Sequence, residues 1–214
     1  GSMKTILCYG DSLTWGYSAD GPGRHAYQDR WPSVLSAGLG NGFNVIAEGL
    51  NGRTTAYDDH LADCDRNGAR VLPTILQSHY PLDLVIIMLG ANDMKPFICG
   101  RAIGAKQGME RLVEIVSHHG YGFDSKAPEV VVVAPPPLCP TEDADFDAMF
   151  DGGVAESRKL AALYAEVAAL AGCAFFDAGS VAKTTPLDGV HLDVANTRAI
   201  GAALVPVVRK LIGA

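Results

Sequence analysis

Residues 82–93 read LDLVIIMLGAND, a nearly continuous apolar run, interrupted by Asp83, that leads into a glycine and then polar residues. Strands of a parallel sheet are covered on both faces, so their residues are apolar without alternation. The run at 83–89 fits such a strand. Shorter apolar runs elsewhere predict four more strands, at residues 5–9, 43–47, 130–133 and 174–176.

Longer amphipathic stretches lie between these apolar runs and predict helices. They cover residues 31–39, 104–118, 155–171 and 194–211. Strands that alternate with helices favour an open parallel sheet with helices on both faces. We therefore expect a single-domain three-layer α/β/α sandwich with a five-stranded parallel sheet. The domain is expected to span 3–214, because Gly1-Ser2 before Met3 has the character of a cloning scar.

The composition narrows the classes of function. With 48% hydrophobic and 19% charged residues, the chain resembles an ordinary globular domain. Its net charge of -7 argues against nucleic acid or an anionic membrane as the main partner, since both reward basic patches. The five cysteines are scattered and include no C-x-x-C pair. Such a set suits a reducing compartment, and we expect a cytoplasmic protein.

Residues able to carry chemistry follow several of the predicted strands. Sheets of this kind place their sites at the carboxyl ends of the strands. Ser12 follows the first strand, Gly52 the second and Asn92 the third, while Asp188 and His191 lie in the loop after the fifth. Each has a structural explanation alone, such as a helix cap or a turn. A serine needs an imidazole as base and a carboxylate to orient it, so the joint placement favours one active site.

These residues belong to four short motifs that occur in order over nearly the whole chain. The chain reads GDSL at 10–13, NGR at 51–53, GAND at 90–93 and DGVH at 188–191. The ordered set resembles the four blocks of the SGNH (GDSL-type) hydrolases. The resemblance is closer to one branch, the bacterial arylesterases that also act as acyltransferases and perhydrolases. The stretches that carry this closer likeness are 10–16, 82–90, 135–138 and 175–180.

The resemblance implies a flavodoxin-like sheet and hydrolysis of short-chain esters, with no cofactor and no metal. Ser12 would be the nucleophile, His191 its base and Asp188 the orienting carboxylate. The backbone N–H groups of Ser12 and Gly52 and the Asn92 amide would form the oxyanion hole. Some members carry alanine at the Gly52 position, which leaves the backbone donor in place. A homo-oligomer that walls in its active sites is also implied, with an octamer as one candidate.

Two features near the expected site have no assigned place. The acidic segment 141–153 predicts a solvated loop, a lid or an interface, and its Phe146, Met149 and Phe150 look exposed. The acyl pocket is expected to involve residues close to the nucleophile and one from the proline-rich loop after the fourth strand. These candidates are Asp11, Leu13, Thr14, Trp15 and Leu138.

Several alternatives remain open. A carbohydrate O-deacetylase or a thioesterase would use the same triad. A non-catalytic flavodoxin-like nucleotide-binding module would need a phosphate loop rich in Ser, Thr and Gly after the first strand. The chain has Asp11, Leu13 and Trp15 there. A calcium loop at 143–154 lacks its glycine and its glutamate. No H-E-x-x-H motif accompanies His118 and His119, so no metal is expected.

Overall fold

A computed structural model describes residues 2–213 and shows a five-stranded, wholly parallel sheet. The strands are β1 Lys4–Gly10, β2 Phe43–Gly49, β3 Leu84–Met88, β4 Glu129–Ala134 and β5 Ala174–Asp177. Their order is β2-β1-β3-β4-β5, which is the flavodoxin-like arrangement. The predicted fold class is confirmed. Gly1 and Ala214, the outermost residues of the predicted scar and domain, lie outside the described residues.

Eight helices are present within residues 2–213, and the longer ones cover both faces of the sheet. One face is covered by α3, α4 and α7 and the other by α2 and α8, because successive strand residues point to opposite faces. This explains why the strand at β3 is apolar throughout. The helices are α1 Ser12–Trp15, α2 Trp31–Leu39, α3 Gly68–His79, α4 Ala102–His118, α5 Ala144–Met149, α6 Gly153–Ser157, α7 Leu160–Ala171 and α8 Val194–Ile212.

Two helical regions differ from the sequence prediction. The helix α3, which is capped by Asn67 and contains Pro73, is absent from the sequence prediction. The single helix predicted over 155–171 is divided between α6 and α7. At the end of α6 the Ser157 hydroxyl accepts the Leu138 N–H at 2.9 Å, which ties this end to the loop after β4.

The five cysteines form no disulfide, and Cys8 is the buried one, whereas Cys64 is exposed. Across the described helices, none combines the length and apolar character needed to cross a bilayer.

Candidate active site

The carboxyl ends of the parallel strands bring the sequence-predicted site residues to one edge of the sheet. Ser12 is the first residue of α1 and follows β1 with only Asp11 between. The Asp11 side chain caps α1 by accepting the Leu13 N–H at 2.9 Å, which is the usual role of Asp at a helix start. The serine is thereby held at a fixed turn between strand and helix.

Ser12, His191 and Asp188 form a hydrogen-bonded chain. Ser12 Oγ lies 2.9 Å from His191 Nε2, and His191 Nδ1 lies 2.6 Å from Asp188 Oδ2. All three residues are buried. The other oxygen of Asp188 accepts the backbone N–H groups of Val190 and His191 at 2.9 Å each. The carboxylate is therefore fixed by its own loop, and it fixes the imidazole in turn.

The charge state of Asp188 suits this arrangement. Burial alone would raise the pKa of Asp188, but its hydrogen bond to His191 and the two backbone donors outweigh burial and lower that pKa. The carboxylate thus stays ionised and keeps a proton on His191 Nδ1, leaving Nε2 free to accept the serine proton.

Gly52 and Asn92 face the same cavity as the Ser12 hydroxyl. Gly52 has a φ of +82°, which glycine adopts without strain. A Cβ there would also lie only 2.5 Å from Arg66 Nε, so this chain has a steric reason for glycine. Asn92 is buried in the turn after β3 and its amide donates to the Arg53 carbonyl at 3.1 Å. The second N–H of that amide remains available to a ligand.

Two more carboxylates are buried behind the triad. Burial raises the pKa of Asp11 to about 7 and that of Asp93 to about 6. Asp93 is held by the backbone N–H of Thr55 at 3.0 Å and by the Thr55 hydroxyl. Their hydrogen bonds go to the backbone and side chains of the surrounding loops, so both acids shape the site from behind.

The cavity next to the Ser12 hydroxyl has a volume of about 170 Å³. One wall of the cavity comes from α5 and from Phe150, which follows it. Both belong to the segment 141–153, for which the sequence predicts a loop, a lid or an interface. The centroids of the Tyr17 and His191 rings are 4.0 Å apart. The Phe146 ring contacts His191 edge-on, with 5.9 Å between the ring centroids. The full lining is Ser12, Tyr17, Asn51, Gly52, Arg66, Asn92, Lys95, Phe146, Met149, Phe150, Val190 and His191.

The structure places all five acyl-pocket candidates outside the lining of this cavity. Successive residues of a helix point in different directions, so those after Ser12 do not share its face. Asp11 is the buried cap described above, and Leu13 packs in the core beside α2. The five candidates that do not line the cavity are Asp11, Leu13, Thr14, Trp15 and Leu138.

The remaining three candidates have structural partners elsewhere. The Thr14 hydroxyl accepts the Trp31 indole N–H at 3.2 Å. Trp15 lies in a separate groove, with the Arg24 guanidinium 4.2 Å above its ring. Leu138 is buried in the core under α4 and α7. The remaining wall residues come mainly from loops, and two of them, Asn51 and Val190, lie inside the NGR and DGVH motifs. The sequence shows the aromatic residues of 141–153 but not the direction in which their side chains point.

No group of three or more His, Cys, Asp or Glu side chains within residues 2–213 is arranged to hold a metal ion. The site instead presents a nucleophile, a base and polar donors around a small cavity. This arrangement can transfer an acyl group to serine.

Comparison with known proteins agrees with this geometry. Residues 8–197 match the model of the GDSL-like lipase/acylhydrolase family. The chain belongs to this family. The match runs from β1 into α8, so this GDSL-family hydrolase contains all four motifs within the matched region.

Solved structures similar to this GDSL-family hydrolase cover it almost completely. A carbohydrate acetylesterase family member from Sinorhizobium meliloti is 63% identical, with a TM-score of 0.97 over 99% of this chain and 100% of that one. The aryl esterase of M. smegmatis is 45% identical, with a TM-score of 0.92 over 98% and 100%. A second Sinorhizobium meliloti carbohydrate acetylesterase is 41% identical, with a TM-score of 0.93 over 98% and 100%. No curated protein matched the chain. The protein is a carboxylic ester hydrolase of the SGNH type.

Proposed function

We propose that this GDSL-family hydrolase cleaves short-chain aryl and alkyl esters through an acyl-enzyme on Ser12. The observation that carries the proposal is the chain of contacts from Ser12 Oγ to His191 at 2.9 Å and from His191 to Asp188 at 2.6 Å, beside a cavity of about 170 Å³. A cavity of this size is below the usual range for drug-sized ligands and suits a small acyl group.

The proposed reaction begins when Ser12 Oγ attacks the ester carbonyl and His191 Nε2 takes its proton. The negative oxygen of the tetrahedral intermediate is met by the N–H groups of Ser12 and Gly52 and by the Asn92 amide. His191 then gives the proton to the departing alcohol, and the acyl group remains on Ser12. A water molecule attacks the acyl-enzyme by the same proton path and releases the acid.

The same acyl-enzyme gives a second reaction when another nucleophile replaces water. An alcohol would yield a new ester, and hydrogen peroxide would yield a peracid. The apolar rings of Phe146 and Phe150, which line the cavity beside the triad, support this proposal, because they cover the site with groups that do not bind water.

Carbohydrate deacetylation is the second candidate, since the 63% identical relative is a carbohydrate acetylesterase family member. A panel of acetyl donors tests both proposals: phenyl acetate, an acetylated xylose and an acetyl thioester, each measured with wild type and with Ser12→Ala. We expect Ser12-dependent hydrolysis, with phenyl acetate fastest. A higher kcat/KM on acetylated xylose would favour deacetylation, and no Ser12-dependent turnover of any donor would contradict both.

We also propose a cytoplasmic homo-oligomer with an octamer as one candidate, and with neither nucleic acid nor membrane as partner. The net charge of -7 and the family resemblance support this. Leu61, Phe97 and Leu170 are large apolar side chains exposed on the single chain, which a second copy could cover. Light scattering at micromolar concentration tests the proposal, and a monomeric mass would contradict it.

A further inference from the structure

Two cationic side chains, Arg66 and Lys95, line the cavity beside the Ser12 hydroxyl. Arg66 comes from the loop between β2 and α3, and Lys95 from the turn after β3. No Asp or Glu is among the described residues that line this cavity. In a chain with a net charge of -7, a cavity wall with two cations and no carboxylate is a local reversal of charge.

Protein groups satisfy only part of the hydrogen-bonding capacity of the Arg66 guanidinium. One of its terminal nitrogens pairs with the buried Asp59 carboxylate at 2.8 Å. Its Nε is buried and has no hydrogen-bond partner within residues 2–213. This nitrogen lies against Gly52, since a Cβ at Gly52 would be 2.5 Å from it. Asp59 balances the charge of Arg66 but leaves a donor unused, and a buried donor without a partner is costly.

Lys95 has no counter-ion among residues 2–213, where no carboxylate oxygen lies within ion-pair distance of its ammonium. Its Nζ lies 5.4 Å from the centre of the Phe150 ring and 5.9 Å from that of Phe97. Burial lowers the pKa of Lys95, and the charge of Arg66 lowers it further, while Asp59 and Asp11 oppose this. A cation in such surroundings gains from an anionic ligand.

We propose that the physiological ester carries an anionic group, a carboxylate in the simplest case, which Lys95 and Arg66 bind while Ser12 attacks the ester carbonyl. This inference rests on the proposed function, because it concerns the substrate of the same site. Arg66 offers directional donors and Lys95 a point charge, a pairing that suits a carboxylate.

Two pairs of esters that differ in charge test the inference. On the alcohol side, 4-acetoxybenzoate is compared with 4-acetoxybenzamide. On the acyl side, 4-nitrophenyl hemisuccinate is compared with 4-nitrophenyl methyl succinate, after subtraction of the rate with Ser12→Ala. We expect the anionic member of at least one pair to have the higher kcat/KM by about tenfold, which corresponds to 1.4 kcal/mol. The difference should lie mainly in KM, since the charge is bound in the ground state too.

Substitutions of Lys95 identify the group responsible. Lys95→Met should bring the ratio of anionic to neutral kcat/KM close to one, and Lys95→Arg should retain most of the preference. Lys210→Met is the matched control, because Lys210 is exposed in the last turn of α8, and its ratio should equal that of wild type. An equal loss of rate on both members of a pair, with the ratio unchanged, would overturn the inference and favour a role for Lys95 at the oxyanion.

A binding measurement separates this inference from the proposed function. Ser12→Ala is titrated calorimetrically with 4-acetoxybenzoate and with 4-acetoxybenzamide. Preferential binding of the benzoate without turnover by wild type would leave the anion site standing and contradict the esterase proposal. Ser12-dependent hydrolysis of neutral esters, with no preference for charge in rate or binding, would overturn the anion site alone.

Discussion

His191 Nε2 lies 2.9 Å from Ser12 Oγ, although 179 positions separate the two residues in the chain. The contact depends on the parallel sheet, because β1 delivers Ser12 and the loop after β5 delivers His191 to the same edge. The imidazole has little freedom to leave, since Asp188 holds its other nitrogen and the Tyr17 ring lies 4.0 Å away. A base held in this way can accept the serine proton without first reorienting.

Replacing Ser12 by alanine should therefore abolish esterase activity. We expect Ser12→Ala to lower kcat on 4-nitrophenyl acetate by about 10⁴-fold or more, since removal of a triad nucleophile has costs of this order. Far-UV circular dichroism and the melting curve should match wild type. Ser36→Ala, a serine on α2 whose hydroxyl makes no hydrogen bond within residues 2–213, serves as control. Activity above a few per cent in a folded Ser12→Ala protein would exclude Ser12 as nucleophile.

The size of the cavity predicts a preference for short acyl chains. We expect kcat/KM for 4-nitrophenyl esters to fall by at least about tenfold between butyrate and octanoate, because the Phe146 ring closes the cavity over His191. Phe146→Ala should raise the octanoate rate relative to acetate. Phe123→Ala, which removes an exposed ring outside the cavity, should leave the profile unchanged. A kcat/KM that rises from acetate to octanoate in wild type would contradict this prediction.

Asn92→Ala distinguishes a donor to the oxyanion from a turn residue. A donor confined to the transition state affects kcat more than KM, and its removal typically costs about 10²–10³ in kcat. The substitution also removes the hydrogen bond to the Arg53 carbonyl, so we expect a loss of stability of about 1 kcal/mol as well. Kinetics of the folded variant and a thermal melt measure the two effects. A lower Tm with normal kcat would show that Asn92 is structural only.

The buried acids Asp11 and Asp93 predict an unusual dependence of stability on pH. Burial raises the pKa of Asp11 to about 7 and of Asp93 to about 6, above the unfolded values. The folded state therefore binds more protons than the unfolded state between about pH 4 and 7, so stability falls as pH rises through this range. We expect Tm to be higher at pH 5.5 than at pH 8 by several degrees, since each kcal/mol shifts Tm by about 2–4 °C in a chain of this size.

Asp11→Asn isolates the contribution of that carboxyl. Its remaining oxygen still accepts the Leu13 N–H, but the side chain no longer titrates. The change of Tm with pH should then become clearly smaller, with the Asp93 contribution left. An unchanged dependence in Asp11→Asn would show that Asp11 does not titrate in this range.

The strands and the order of the motifs could be predicted from the sequence because their signals are local. A strand buried on both faces is apolar without interruption, as at β3, and the residues after the strands are fixed by the direction of the sheet. The helix α3 is absent from the prediction although it carries local signals. Asn67 caps its start, and its buried Leu72 and Leu76 recur at helical spacing.

The walls of the cavity depend on distant parts of the chain, which the sequence does not relate to one another. Phe146 and Phe150 were noticed as apolar residues in an acidic segment, but only the folded chain shows that they face His191. No motif in the sequence indicates that Arg66 and Lys95 line the same cavity. Leu13 and Trp15 are close to Ser12 in sequence but do not line the cavity, because successive residues of a helix point in different directions.

Gly52 has a backbone conformation and a side-chain neighbour that explain glycine at this position, and the explanation can be tested. Alanine at this position would be strained by the φ of +82° and would place its Cβ 2.5 Å from Arg66 Nε. A left-handed backbone alone costs a non-glycine residue roughly 1–2 kcal/mol. We expect Gly52→Ala to lower the free energy of unfolding by more than this. Gly172→Ala is the control, because Gly172 has a left-handed backbone with φ of +69° and ψ of +29° and nothing within 4 Å of the added Cβ.

A double-mutant cycle with Arg66→Ala separates the contact from the backbone strain. Arg66→Ala alone should destabilise the protein, since it leaves the buried Asp59 carboxylate unpaired. In the double variant the added methyl group no longer meets the guanidinium, so the total loss should be smaller than the sum of the two single losses. Urea denaturation of the four proteins measures this difference. Additivity within about 0.5 kcal/mol would mean that Arg66 does not press on Gly52, and backbone conformation alone would then explain the glycine.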